Sequence, residues 1–286
     1  MSPLTSASQN AEKFNDAYFT SENDVKWSMD HLASLYDLKG KTALEPAVGS
    51  GVFPMFSESH GLAWTTNELF PENSRGFNAD YNIDFAKGDI SPLGKYDFVI
   101  TNPPFGKSSN LAKKFIMRSL EISDVVAMVL PKGCRSPKFQ DSKLPKDIKI
   151  VFDKDLPDST FLLPDGTVRK VGCAFIVYER VKGYERPLLL EYAPEGYSVT
   201  SGAHDWPKGA THATCLWGSA SGKIVTQDSR PKCWAKTAFL TLSPEQSAAI
   251  PDLALRNVSL SRNTSVLGLS IEDIYTTLNP IFRSMY

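Results

Sequence analysis

The chain has 286 residues, 42% hydrophobic and 22% charged, the balance of a soluble globular protein with room for one large domain and a smaller appendage. The longest apolar run, Val125 to Leu130, is too short to span a bilayer, and the start Met1-Ser2-Pro3-Leu4-Thr5-Ser6 lacks the basic and apolar regions of an export signal. A cytoplasmic protein with no membrane partner is expected. Cys134, Cys173, Cys215 and Cys233 have no metal-finger spacing, and His31, His60, His204 and His212 form no metalloprotease pattern. Free thiols and no metal are expected.

The net charge of −1 conceals a gradient. Residues 1–101 carry 7 Lys/Arg against 14 Asp/Glu, whereas residues 102–150 carry 10 against 4. A basic surface in the second window would suit a polyanionic partner.

Taken in order, residues 1 to about 17 are polar and expected to be loosely ordered. Thr20 or Ser21 can cap a helix with Val25, Met29, Leu32 and Tyr36 on its inner face and Gly40 as its stop. Thr42 to Glu45 reads as a first strand, Pro46 to Gly51 as a glycine-rich turn, and Val52 to His60 as a helix. Ala63 to Asn67 is a second strand ending at Glu68-Leu69, and Asp80 to Lys87 a third ending at Gly88-Asp89-Ile90. Tyr96 to Ile100 is a buried fourth strand that meets Thr101-Asn102-Pro103-Pro104-Phe105-Gly106. Two prolines cannot continue a ladder, so the chain leaves the sheet where Asn102 presents its amide.

Ser108-Ser109-Asn110 offers caps for a helix with Ala112, Phe115, Ile116, Ser119 and Leu120 inward. Val125 to Leu130 reads as a strand buried on both faces, and residues 134–147 as a loop or short helix. Ile148 to Phe152 and Gly172 to Tyr178 are later strands forming an antiparallel pair, with Asp165-Gly166 a turn between them. Composition shifts near Pro187 towards Gly, Ser, Thr, Pro and Trp. The expected division is therefore 1–186 and 187–286.

In a parallel sheet the strand ends bearing Glu45 to Gly51, Glu68, Asp89 and Asn102 to Phe105 face one cleft. The first turn is not G-x-G-x-x-G, so a dinucleotide is disfavoured. Glu45 suits a cationic amino acid or sulfonium, Glu68 a ribose, and Asp89 an adenine amino group. A ligand with adenine, ribose and an amino-acid tail but no phosphate fits this set, and S-adenosylmethionine is such a ligand.

With those residues in place, the sequence resembles the class I, Rossmann-like S-adenosylmethionine-dependent amino-methyltransferases, particularly the adenine-N6 enzymes of nucleic acids. Glu45-Pro46-Ala47-Val48-Gly49-Ser50-Gly51 resembles their cofactor loop. Asn102-Pro103-Pro104-Phe105 matches their catalytic tetrapeptide, and Phe19-Thr20 resembles their upstream cofactor-contacting segment. The order resembles the gamma arrangement, with target recognition last. The resemblance implies an α/β fold with a doubly wound, mostly parallel seven-stranded sheet, an antiparallel strand near its edge and a smaller C-terminal region. It also implies cofactor contacts at Phe19, Thr20, Glu45, Pro46, Ala47, Gly49, Gly51, Glu68, Leu69, Asp89, Ile90 and Asn102.

The chemistry accounts for these residue types. Asn102 Oδ1 and the Pro103 carbonyl can accept from an exocyclic NH₂ and turn its lone pair towards a sulfonium methyl, while Phe105 stacks on an extruded base. Lys107, Lys113, Lys132, Arg135 and Lys138 are candidate phosphate contacts. In the C-terminal region Trp206, Lys208, Lys232 and Trp234 interleave basic and aromatic residues, with Trp217, Lys223, Arg230 and Lys236 nearby; the other reading of the tryptophans is a small core. The expected substrate is DNA adenine, with RNA adenine second. A protein-glutamine methyltransferase and a non-catalytic nucleic-acid-binding subunit rank lower, and a further protein subunit as partner stays open.

Overall fold

The structure is a computed structural model that describes residues 19–163, 166–201, 205–231, 236–261 and 268–285. The chain divides into two compact units, with the boundary between Pro187 and Leu188.

In the first unit, strands β1 (Phe19–Thr20), β2 (Thr42–Glu45), β3 (Ala63–Thr66), β4 (Phe98–Thr101), β5 (Val125–Pro131), β6 (Ile148–Asp155), β7 (Thr160–Leu162), β8 (Val168–Lys170) and β9 (Cys173–Arg180) build two sheets. Six of them form the main sheet in the order β3-β2-β4-β5-β9-β6. Strands β3, β2, β4 and β5 are parallel, and β9 runs antiparallel between β5 and β6. The remaining three make a small antiparallel sheet in the order β1-β7-β8.

Helices α1 (Glu22–Leu35), α2 (Val52–Phe56), α3 (Asn110–Ile122) and α4 (Pro137–Lys143) complete the unit. Every residue of β4 is buried, so both faces of the sheet need a cover. Alternation assigns the covers: Leu44, Val99 and Val126 face one apolar cluster with Phe115 and Ile116 of α3, while Ala43, Ile100 and Ala127 face another with Val25, Met29 and Leu32 of α1.

Helix α1 begins as its sequence directs. Ser21 Oγ accepts from the Asp24 amide at 3.1 Å, and Glu22 and Asp24 place negative charge in the first turn. Tyr36 leaves the helix as its extended C-cap, and its hydroxyl donates to Glu179 at 2.9 Å. The helix expected over Val52 to His60 stops at Phe56, where Ser57 Oγ donates back to the Phe53 carbonyl at 2.5 Å, and a 3-10 turn follows over Glu58–His60. Pro164 and Asp165 of the expected turn lie outside the described residues; Gly166, at φ +85°, follows them into β8.

The strand expected over Asp80 to Lys87 does not form, and the main sheet has six strands rather than seven. Side chains replace its ladder. Asp80 Oδ2 accepts from the Thr66 amide and the Thr66 hydroxyl, both at 2.8 Å. The fully buried Asn67 donates Nδ2 to the carbonyls of Pro46 (2.9 Å) and Ile83 (3.0 Å), and its Oδ1 accepts from the Ile83 amide at 2.8 Å. Only Tyr81 makes a bridge to Asn67. The segment is therefore pinned beside β3 by carboxylate and carboxamide, and its backbone pairs there only at Tyr81, whose amide donates to the Thr66 carbonyl at 3.1 Å and whose carbonyl accepts from the Glu68 amide at 3.0 Å.

The second unit holds strands β10 (Ser198–Ser201), β11 (His212–Cys215), β12 (Ile224–Val225) and β13 (Thr237–Thr241), antiparallel in the order β10-β13-β11-β12. Helices α5 (Pro244–Ala249), α6 (Ala254–Ser261) and α7 (Ile271–Arg283) accompany them. Leu240, Leu242 and Ala238 of this sheet region pack with Leu255, Ile274, Leu278 and Phe282 in one core. A Ser270–Asp273 capping box starts α7, and Arg283 near its end pairs with Glu191 and Glu195. Among the described residues no helix is long and apolar enough to cross a membrane.

Asn67→Ala would leave a buried amide and two carbonyls without this partner. We expect a loss of about 2–4 kcal/mol in urea unfolding, with the apolar mutant core otherwise unchanged in composition. A loss below about 0.5 kcal/mol would show that the carboxamide does not hold these segments.

Candidate active-site cleft

The carboxyl ends of β2, β3 and β4 open on a cleft of about 330 Å³, a volume in the range of small-molecule sites. Its walls include Phe19, Thr20, Glu45 to Gly49, Glu68 to Phe70, Ile83 to Lys87 and Asn102 to Pro104.

Glu45 ends β2 and is 2% exposed, yet it keeps one anchor, Oε1 accepting from the Ala47 amide at 3.2 Å. Burial pushes its carboxyl up to about 8; the Thr101 hydroxyl and the Ala47 amide oppose the rise, and Glu68 adds to it. Glu68 sits after β3 and braces the rim: Oε2 accepts from the Gly49 amide at 2.9 Å and Oε1 from the Phe70 amide at 3.0 Å. Its carboxyl is raised as well, because burial outweighs those two amides. A carboxylate oxygen has more than one acceptor site, so Glu68 can brace the loop and still receive a ligand hydroxyl.

The two glycines of the turn serve different neighbours. Gly49, at φ +49°, lets the Phe19 ring approach to 3.2 Å from where a Cβ would sit. Gly51, at φ +80°, admits Phe77, whose ring carbon would lie 2.2 Å from such a Cβ. Gly51 does not line the cleft; it shapes the loop from behind. Phe19 is further held by Arg75, whose guanidinium lies 4.6 Å from the ring centroid and donates to the Leu163 carbonyl at 3.1 Å.

At the end of β4, Asn102 Nδ2 donates to Thr20 Oγ1 at 2.9 Å. Pro103 and Pro104 continue the wall. Phe105 does not line it: its half-buried ring meets Phe161 edge-on at 6.2 Å. The Phe105 carbonyl accepts from the amides of Leu111 (3.2 Å) and Ala112 (3.3 Å), which caps α3. This replaces the side-chain cap expected from Ser108-Ser109-Asn110, since both serines sit in left-handed backbone at φ +55° and +60°. Gly106 makes the turn possible, because a Cβ there would lie 2.7 Å from Leu111 Cβ.

Asp89 and Ile90 fall outside the cleft. Asp89 is exposed and accepts from the Ser91 amide and hydroxyl, both at 2.9 Å, while Ile90 is buried in the core. The acid in the wall is Asp84. It closes a tight turn, its Oδ1 accepting from Ala86 at 3.0 Å and Lys87 at 3.1 Å, with Gly88 packed against its carbonyl. Turn chemistry was the available signal: an Asp four residues before a glycine, inside a segment otherwise read as strand.

The candidate phosphate contacts separate into two groups. Lys132 pairs with Asp155 at 2.6 Å, and Arg135 with Asp153 and Asp155, both at 2.5 Å. These β6 carboxylates pair with two of the ten cations of the basic window, so neither Lys132 nor Arg135 is an open cation. Lys113 lies over the Phe139 ring at 5.3 Å, Lys138 is exposed on α4, and Lys107 is exposed just after Gly106. In the second unit Trp206 is a core residue, its Nε1 donating to the Ala210 carbonyl at 2.8 Å and its ring packing on Phe239 at 5.3 Å. Lys208 is exposed in a turn. Trp217 is 52% exposed with Lys236 5.0 Å from its ring centroid. Lys232 and Trp234 lie outside the described residues, as do His204 and Cys233.

No protein-family model and no curated protein matches the chain. Solved structures resemble it at low identity. A Pyrococcus horikoshii protein, provisionally described as an RNA methyltransferase, is 20% identical over 57% of this chain and 87% of its own, with a TM-score of 0.46. A type I restriction-modification methyltransferase subunit from Streptococcus thermophilus is 18% identical over 58% of this chain and 45% of its own, with a TM-score of 0.44. Magnesium protoporphyrin IX methyltransferase from Synechocystis, solved with bound S-adenosylmethionine, is 12% identical over 63% and 86%, with a TM-score of 0.41. At this level of similarity the reaction has to be read from the residues themselves.

The raised carboxyl of Glu45 has a signed consequence. The unfolded chain ionises it near 4.5 and the folded protein near 8, so between these values the unfolded state holds fewer protons. Stability falls as pH rises through that window. Glu45→Gln should remove this part of the fall: its unfolding free energy from urea titration should match wild type near pH 4.5 and exceed it above pH 8, by on the order of a few kcal/mol.

Proposed function

We propose that the protein is an S-adenosylmethionine-dependent methyltransferase acting on the exocyclic N6 amine of adenine in DNA. The observation that carries this reading is the placement of Asn102 and the prolines at the end of β4, in the same wall system as buried Glu45 and Glu68. The residues present fit the cofactor: two carboxyls, a glycine turn for close approach, and apolar surface from Leu69, Phe70 and Phe85.

Glu68 would hold the ribose hydroxyls, and Glu45 would face the cationic end of the ligand. Asp84, rather than Asp89, stands where an adenine amino group can be received. When bound, the cofactor supplies an electrophilic methyl on a positively charged sulfur. The protein's own task is to prepare the amine. Adenine N6 is a poor nucleophile because its lone pair is delocalised into the ring. Asn102 Oδ1 and the Pro103 carbonyl accept its two hydrogens, which favours a tetrahedral nitrogen with the lone pair directed into the cleft. Holding amine and methyl in line supplies the orientation. The proton leaves after transfer, when the nitrogen is strongly acidic, so a strong base is unnecessary. Phe105 does not line the cleft and its ring packs against the core clusters, so we assign it to supporting the Asn102 wall rather than to stacking on an extruded base.

Lys107, Lys113 and Lys138 are the cations we assign to the polymer from the first unit, with Lys208 and the Trp217–Lys236 pair from the second. The second unit is proposed as the target-recognition region.

Methyl transfer from labelled S-adenosylmethionine to DNA, RNA and protein, followed by nucleoside analysis, tests the reading. We expect N6-methyladenine in DNA, reduced roughly 100-fold or more in Asn102→Ala. Label confined to RNA or to protein would overturn the choice of substrate, and cofactor binding without transfer to any polymer would overturn the reaction.

A further inference from the structure

We infer that Thr20 is the positioning residue for the carboxamide of Asn102, acting through that side chain rather than as a cofactor contact. The inference rests on the methyltransferase reading for its kinetic consequence, though not for its structural one.

Asn102 follows the last residue of β4 and precedes two prolines, so its backbone is stiff while its side chain can still rotate about two bonds. Only a narrow set of those orientations presents the carboxamide oxygen to an amine in the cleft. Thr20 removes the freedom. Its hydroxyl oxygen receives Nδ2 at 2.9 Å across 82 residues of sequence. With the nitrogen end held there, Oδ1 is the end that can serve a donor in the cleft.

A hydroxyl can meet either end of an amide, so the bond by itself locks the plane of the side chain. Proton balance then selects the end. The substrate NH₂ needs an acceptor, so it takes Oδ1. Nδ2 then donates its hydrogen bond to Thr20 Oγ1.

The hydroxyl is itself on a rigid mount. Thr20 is 5% exposed and pairs with Phe161 in the β1–β7 ladder. The next residue, Ser21, is tied down as the cap of α1. The preceding one, Phe19, is held between the Gly49 turn and the Arg75 guanidinium. A two-residue strand thus touches the glycine turn with one side chain and the Asn102 carboxamide with the other. Such supporting hydrogen bonds are what keep a catalytic group within the tolerance its chemistry demands.

Thr20→Val keeps the shape and removes the hydroxyl; Thr20→Ser keeps the hydroxyl and removes a methyl. We expect Thr20→Val to lower the single-turnover methylation rate ~10–100-fold, the scale of a small misplacement of reacting groups. Its affinity for S-adenosylmethionine, measured by calorimetry, should change less than about threefold. Thr20→Ser should restore the rate, and Thr20→Val should cost nothing further in an Asn102→Ala background. The side-chain amide signal of Asn102, identified by its loss in Asn102→Ala, should be protected from solvent exchange in wild type and in Thr20→Ser but not in Thr20→Val. Additive losses, or a fall in cofactor affinity as large as the fall in rate, would make Thr20 a cofactor contact and overturn the inference. Unchanged amide protection in Thr20→Val would overturn it even if the protein transferred no methyl group, an outcome that by itself sinks only the functional reading.

Discussion

One buried carboxamide holds the cleft together. Asn67 follows β3, and its side chain bonds the Pro46 carbonyl of the glycine turn and both backbone groups of Ile83. Its main chain adds two more bonds, from its amide to the Glu45 carbonyl at 2.9 Å and from the Val48 amide to its carbonyl at 3.0 Å. The cost of burying a primary amide is repaid only when its donors and acceptor are all used, and here they are. Because those partners lie in three separate segments, satisfying one side chain fixes the relative position of the turn, the β3 end and the Asp84 wall.

The acids of the cleft inherit their character from that frame. Burial pushes both Glu45 and Glu68 towards the neutral form, with the charge of Glu68 adding to the rise at Glu45 and that of Glu72 to the rise at Glu68. A cation arriving in the cleft would reverse that balance by favouring the carboxylates. The loop is thus poised for a positively charged ligand and poorly suited to a pyrophosphate. On the opposite wall, Phe19 and Thr20 connect the turn to Asn102 through one ring contact and one hydrogen bond.

Charge and aromatic content behave differently in space from how they read along the chain. Two cations of the basic window, Lys132 and Arg135, meet Asp153 and Asp155 of β6, which lie just beyond that window in sequence. Trp206 spends its indole on Ala210 and Phe239. In the second unit the exposed Trp217 ring carries Lys236 5.0 Å from its centroid.

The sequence by itself determined the elements whose cause is local. Ser21 with two acids starts α1, Val125 to Pro131 is apolar enough to be buried on both faces, and two prolines force the exit after Asn102. Those signals place Glu45, Glu68 and Asn102 at strand ends, and the parallel pairing of β2, β3 and β4 brings the ends together. Only the tertiary structure decided the rest, because the deciding partners are distant in sequence or are side chains standing in for backbone. The strand expected over Asp80 to Lys87 gives way to bonds from Asp80 and Asn67, which carry no periodicity to read. That change of path moves the wall acid from Asp89 to Asp84. The hydroxyl that holds Asn102 comes from a residue 82 positions away, and the carbonyl that caps α3 comes from Phe105 rather than from the serines beside the helix. Local propensity selects which segments are rigid, and long-range satisfaction of buried polar groups selects which side chains face the cleft.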